Sequence, residues 1–340
     1  MKQCLLVVVF FIAIFCIISI IDASSAKASN NEPTELVVYT AIEPEWLPRY
    51  KKSFETLHPD IRIKWVRETT GVITARLLAE KESPKADAIL GVGATSLLIL
   101  KSEGMLLPYT PKGYDSLLPE MRDASQPASW TGTAAWASAI CVNKKEIERR
   151  GLSTPTSWSD LTKEEYKGLI AMPDPASSGT GYMDLAAWIQ MFGEEKAWDY
   201  AEHLNRNVKF YTHSGSRPCS MAAQGEIVIG ISSEAFIGNF LKHNAPIEVV
   251  LPEEGLGWEV EAGAILKTTK KLDAAKKLMD WSASEKVGEL AAEFSGLPAR
   301  KDSIPEASQK TAGKLCKNDL QWAADNRERL LKTWRKRFSK

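Results

Sequence analysis

The spacing of apolar and polar positions switches repeatedly between a period of two and a period near 3.6. Residues Glu35–Ala41 (ELVVYTA) form a short β-rich run. Residues 43–59 (EPEWLPRYKKSFETLHP) follow with Trp46, Tyr50, Phe54 and Leu57 on one helical face, ending at Pro59. Residues 61–68 (IRIKWVRE) alternate as a half-buried strand does, and residues 70–83 (TGVITARLLAEKES) read as a helix entered through Thr69, Thr70 and Gly71. A buried strand at 86–93 (ADAILGVG) and a helix closed by Gly104 complete the series. This β-α-β-α-β-α order predicts a parallel sheet covered by helices.

A second unit repeats the logic. Residues 131–145 (TGTAAWASAICVNKK) form a strand long enough to run between units. Residues 156–168 (TSWSDLTKEEYKG) read as helical, and residues 169–175 (LIAMPDP) as a buried strand with a proline stop. Strand, polar loop and helix recur in 207–226, and IVIGISSE is a buried strand ending on polar residues. PIEVVLPEEG and WEVEAGAILK are two further strands, and the tail from Leu272 to Phe338 is mostly helical with a break at Gly296–Pro298. No linker rich in Pro, Gly and Ser separates the units, which implies a rigid pair with a cleft and a hinge.

The first thirty residues lie apart from this pattern. Lys2, the apolar run Leu5–Ile21 and the small-residue site Ala26–Ala28 mark residues 1–28 as a cleavable export signal, with an uncleaved anchor as the second reading. No comparable apolar run follows. An exported, periplasmic chain sits in an oxidising compartment, where Cys141, Cys219 and Cys316 would remain after cleavage. Cys141 ends a buried strand and Cys219 lies in a turn before a helix, so these two are the preferred pair; three free buried thiols are the alternative. The 340 residues exceed one average domain, and 43 basic against 43 acidic residues give no net charge, which argues against nucleic acid as a partner.

The chemistry points to binding. Four histidines have no metal-site spacing, no G-x-S-x-G elbow is present, and no cofactor is expected. The segment PDPASSGTGYMDLAAW places Ser177, Ser178, Gly179, Thr180 and Gly181 directly before an apolar helical pattern. A helix start carries about half a positive charge and unpaired N–H groups, so it takes phosphate, sulfate or carboxylate without a lysine. One ordinary cap accounts for one Ser or Thr and one Gly, not for five small residues in succession. HSGSRP, with Ser214, is a second turn of similar character. Thr40, Thr70–Gly71 and Ser96 stand at three strand-to-helix junctions of the first unit. Each alone is explained by capping, but three on one sheet edge suggest a binding rim. Glu43, Glu234 and Glu261 stand at strand ends, where a cationic amine would be met; Trp46, Trp136 and Trp258 could wall the site.

Together VVYTAIE, KWVRETTGVITARLLAEK, AICVNKK, TSWSDLTKEEYKG, MPDPASSGTGYMDL, YTHSGSRPC and EEGLGWEVEAGAIL resemble the type II periplasmic solute-binding proteins of ABC importers. Within that group they are most similar to the branch binding 2-aminoethylphosphonate. The resemblance covers about Glu35 to Ser295. It implies two α/β lobes with a ligand cleft and two crossover strands (TAAWASAIC and WEVEAGAIL). Lobe one would comprise 35–132 plus 266–340, and lobe two 133–265. It also implies a monomer that delivers its ligand to an ABC permease and performs no chemistry.

On this basis Ser177, Ser178, Gly179 and Thr180 are expected to hold a phosphonate, with Thr70 and Gly71 opposite. Thr40, Ser96, Ser214 and Trp258 are expected nearby. Glu234 or Glu261, with Glu43 as a lesser candidate, would take the ammonium. Ferric-iron relatives usually carry two adjacent tyrosines where this chain reads Ser232-Ser233-Glu234-Ala235-Phe236, which counts against iron. Phosphate, sulfate or polyamine binding, or an exported hydrolase, are the remaining alternatives.

Overall fold

The computed structural model describes residues 32–294, 297–303, 306 and 309–338. The expected signal at 1–28 lies outside these residues. The first three strands are β1 (Thr34–Thr40), β2 (Ile61–Arg67) and β3 (Ala88–Gly93), separated by helices α1 (Leu47–Leu57) and α2 (Thr70–Ala79) and followed by α3 (Ala94–Ser102). β1 pairs in parallel with both neighbours, as alternation with helices requires. The two-residue strand β4 (Leu106–Leu107) follows, and then β5 (Thr131–Asn143), which is 13 residues long.

The second half holds α4 (Lys144–Arg150), β6 (Ile170–Pro173), α5 (Gly179–Phe192), α6 (Glu194–Asn207), β7 (Val208–Thr212), α7 (Arg217–Ala223), β8 (Ile229–Ser233), α8 (Glu234–Lys242) and β9 (Ile247–Val250). β10 (Trp258–Leu266) then leads to α9 (Leu272–Ser282), α10 (Glu285–Phe294), β11 (Leu297–Pro298), α11 (Gln309–Ala312) and α12 (Leu320–Phe338).

The strands run in the order β2-β1-β3-β10-β5-β8-β6-β7. β5 and β10 are the crossover strands. The first half of β5 lies antiparallel to β10, and its second half lies antiparallel to β8. β10 also pairs with β3. β5 therefore runs through both halves, whereas β10 pairs only with β3, β4 and β5, and residues at or just after the carboxyl ends of β1, β2 and β8 line the cleft where the halves meet. The disulfide Cys141–Cys219 ties β5 to α7; its Cα atoms are 5.9 Å apart, within the ordinary span of such a bridge. Cys316 is free.

One sequence expectation is corrected. Residues 156–168 form no helix, only the single 3₁₀ turns Ser159–Thr162 and Glu164–Tyr166. Side chains outcompete the helix here: the Asp160 carboxylate accepts from Thr156 N–H, and the Ser157 hydroxyl accepts from Asp160 N–H. The far end of the tail packs on both halves. Ala323, Leu330, Leu331 and Trp334 of α12 enter the second half's core beside Trp158 and Trp188. The same helix also touches α3 of the first half, so it spans both.

Candidate functional site

Between the halves lies a cleft lined from the first half by Glu43, Trp46, Arg67, Thr69 and Thr70. The crossover strands contribute Trp136 and Glu261, and the second half contributes Ser178, Gly179, Thr180, Ser214, Gly215, Ser216, Ser233 and Phe236.

The starts of α2 and α5 meet across this cleft. Ser178 caps α5, accepting from Gly181 N–H at 3.3 Å, which leaves the N–H groups of Gly179 and Thr180 in a first turn without intrahelical acceptors. The approach is close enough to exclude side chains. A Cβ on Gly71 would lie 2.5 Å from the Ser177 carbonyl oxygen, and one on Gly215 would lie 2.3 Å from the Thr180 hydroxyl. The Thr69 hydroxyl donates to the Ser177 carbonyl at 2.6 Å. The Ser232 hydroxyl donates to the Gly215 carbonyl at 2.7 Å and fixes the second turn below the cleft.

The charged groups sit to one side. Arg67, the last residue of β2, donates to the Ile42 carbonyl at 3.3 Å and to a Glu43 carboxylate oxygen at 3.1 Å. Burial raises the Glu43 carboxyl, against the opposing pull of Arg67 and the Ser216 hydroxyl. Glu261 is enclosed by protein yet reaches the cleft. Burial, opposed by the Thr133 hydroxyl and reinforced by the nearby Glu43 charge, pushes its carboxyl up to about 7. Anion donors at the helix starts and a carboxylate pair at the other end make a site suited to a ligand with a negative head and a hydrogen-bonding or cationic body.

Of the residues expected from sequence, the cleft gathers Glu43, Thr70, Ser178, Gly179, Thr180, Ser214 and Glu261. Gly71 and Ser177 contribute backbone just behind it, where they form the contact between the halves.

Four expected residues lie outside the lining. The Thr40 hydroxyl accepts from Ile42 N–H and shapes the turn after β1. Ser96 is buried and receives the Thr74 hydroxyl at 2.7 Å. The Trp258 indole donates to the Cys316 carbonyl at 2.9 Å, turning away. Glu234 faces Thr311, whose hydroxyl partly offsets the upward push of burial on its carboxyl.

The third junction of the first half is blocked by the protein itself. The buried Glu259 carboxylate receives the Thr95 hydroxyl at 2.6 Å and the N–H groups that open α3. Burial pushes it up to about 7 despite those donors. An internal carboxylate thus occupies the anion position at this helix start, which explains why Ser96 plays no part in the cleft. Sequence reasoning missed Arg67 and Phe236 as lining residues, whereas Thr69 and Ser216 fall within the Thr69-Thr70-Gly71 junction and the HSGSRP turn that it singled out. The position of Arg67, last in a strand and two residues before Thr69-Thr70-Gly71, was the available signal.

Two halves sharing a pair of crossover strands around a polar cleft define a two-lobed binding protein of the type II periplasmic kind. Residues 83–319 match the family of bacterial extracellular solute-binding proteins, and the chain belongs to that family. It is similar to a probable ABC transporter periplasmic-binding protein of Sinorhizobium fredii, with 28% identity over 260 residues, covering 73% of this chain and 69% of the relative. It is also similar to a periplasmic binding protein of Actinobacillus pleuropneumoniae solved with fructose-6-phosphate. That structure gives a TM-score of 0.84 at 29% identity, covering 90% of this chain and 98% of that one. A Salmonella typhi protein provisionally named for periplasmic 2-aminoethylphosphonate binding is 24% identical over 254 residues, 72% of each chain. The protein is thus a bacterial extracellular solute-binding protein.

Proposed function

We propose that the protein captures a small organic monophosphate or phosphonate. The phosphoryl group sits at the start of α5 against Ser178, Gly179 and Thr180, with Thr70 opposite. The body of the ligand rests against Glu43, Glu261, Trp46 and Trp136. The observation that supports this reading is the meeting of two helix starts, lined by hydroxyls and glycines, across one cleft. Closure would turn on β5 and β10, with one lobe built on 35–132 plus 266–340 and the other on 133–265, the chain working as an exported monomer.

A hydroxyl-rich body, as in a sugar phosphate, is the first reading. Glu43 already pairs with Arg67, so that carboxylate needs no ligand ammonium to balance its charge. The likeness to a protein solved with fructose-6-phosphate supports the same class. The amine of 2-aminoethylphosphonate is the second reading. Its support is Glu261, whose ionisation is opposed by burial and by Glu43, and which an ammonium would relieve.

Calorimetric titration tests the proposal with fructose 6-phosphate, 2-aminoethylphosphonate, fructose, inorganic phosphate, spermidine and ferric citrate. At least one phosphorylated organic ligand is expected to bind, with fructose giving no heat. Binding of fructose, spermidine or iron without any phosphorylated ligand would overturn it, and release of phosphate from a bound ester would restore the hydrolase alternative.

A further inference from the structure

Beneath the cleft, in the second half, lies a cluster of buried polar atoms without partners among the described residues: both carboxylate oxygens of Asp184, the Ser138 hydroxyl, the Trp188 indole N–H and the Tyr200 hydroxyl. Asp184 and Trp188 are one turn apart on α5. Tyr200 of α6 packs edge-on against Trp188 with ring centres 5.0 Å apart, and Ser138 belongs to β5. Asp184 is 1% exposed. An ionised carboxylate cannot be held there without donors. Burial is the main influence on it, with the Ser138 hydroxyl the one group favouring its charge, and together they push the carboxyl up to about 8.

We propose that Asp184 is carried as a neutral acid in the native protein, and that anion capture at the start of α5 depends on that bound proton. The inference rests on the reading that the α5 start takes a phosphoryl group. Asp184 lies five residues into α5, so about 7.5 Å along the axis from Gly179. A buried negative charge at that distance cancels the positive end of the helix and repels the ligand's own charge. Coulomb's law at an effective dielectric of about 20 makes this roughly a ten- to hundredfold loss of affinity. The neutral acid leaves the field of the helix start intact.

The other titratable groups near this cluster do not substitute for it. Burial raises Tyr200 on α6 well above its ordinary value, with smaller contributions from Glu254 and Asp184 itself, so it stays neutral. Burial likewise raises Tyr182 on α5, opposed by Arg327 and Arg329 of α12 and reinforced by Glu259 of β10. Glu259 and Glu261 on β10 titrate near 7, below Asp184. A phosphate ester completes its second ionisation well below pH 8. A loss of affinity above pH 8 therefore belongs to Asp184.

The experiment measures affinity for the best-binding phosphorylated ligand from pH 7.5 to 9.5 in wild type, Asp184→Asn and Ser138→Ala. Wild type is expected to weaken ten- to hundredfold above pH 8, and Asp184→Asn to stay flat. An equal alkaline loss in the Asn variant overturns the proposal. Should Asp184→Asn not fold, Ser138→Ala decides: removing the hydroxyl that favours the charged form moves the alkaline loss to higher pH, and an unmoved onset overturns the proposal. If no phosphorylated ligand binds at any pH, the functional reading has failed separately. The carboxyl is then read directly by carbon NMR of the wild-type protein, where an Asp184 already ionised at pH 6 contradicts the inference and a titration near pH 8 supports it.

Discussion

Thr69 and Ser177, 108 positions apart in sequence, meet where the two halves of the molecule touch: the Thr69 hydroxyl donates to the Ser177 carbonyl at 2.6 Å. The contact brings the start of α2 against the loop that opens α5, and Gly71 is the residue that permits the approach, because a Cβ there would sit 2.5 Å from the same carbonyl. Backbone lies on the far side of that clash, so a side chain cannot be accommodated by a rotamer change.

Gly71→Ala should therefore hold the cleft ajar. Each half keeps its own core, so thermal stability without ligand should change little. Affinity should fall on the order of tenfold or more, since the closed geometry is lost. Thr69→Val removes one hydrogen bond and should cost about 1 kcal/mol of closure, roughly fivefold in affinity. Calorimetry together with small-angle scattering of both variants checks this. A Gly71→Ala protein that closes and binds as wild type contradicts the role given to the contact.

Glu261→Gln separates the two ligand bodies. A ligand with an ammonium loses a charge-assisted contact in an enclosed site and should bind roughly a hundredfold more weakly. A hydroxyl-bearing ligand keeps an acceptor at the glutamine carbonyl and should lose tenfold or less. Measuring both 2-aminoethylphosphonate and fructose 6-phosphate against the variant distinguishes the cases. Equal, negligible effects on both would remove Glu261 from the site.

Stability should depend on pH through Asp184. Its native value, about 8, lies above its ordinary 3.8, so the folded protein holds a proton that the unfolded chain releases. That contribution is complete below about pH 4, declines as pH rises, and is gone above about pH 8. Asp184→Asn needs no proton on folding. Its melting temperature should exceed wild type by roughly a few degrees at pH 8 and match it near pH 4. A constant difference across that range would mean that Asp184 does not change its protonation on unfolding.

The Cys141–Cys219 bridge encloses a long loop joining β5 to α7. Replacing both cysteines by serine should lower stability by about 2–4 kcal/mol. Thiol counting on denatured, unreduced protein that begins after residue 28 should find one free thiol, Cys316. Finding three would contradict the bridge.

Much of this architecture is legible in the chain because each strand-to-helix junction announces itself through a period change and small polar residues. Residues 177–181 stand out because bare backbone before an apolar helix has few other uses. The remaining features depend on partners distant in sequence. Nothing local tells that Glu259 would reach back 164 positions to Thr95 and fill the start of α3, which takes Ser96 out of the site. Trp258 and Glu234 lie at strand ends as expected, yet each turns to a later segment, Cys316 and Thr311 respectively. Arg67 reads as one more exposed strand residue until Glu43 is seen beside it. The helical reading of 156–168 failed because Ser157 and Asp160 satisfy backbone N–H groups through their own side chains.

The most direct measurement is a crystal structure of the protein with its best-binding phosphorylated ligand. The account predicts phosphoryl oxygens within about 3 Å of the Gly179 and Thr180 N–H groups, with the Thr70 hydroxyl opposite and the ligand body toward Glu261. A phosphoryl group seated elsewhere in the cleft, with the start of α5 left to water, would contradict it.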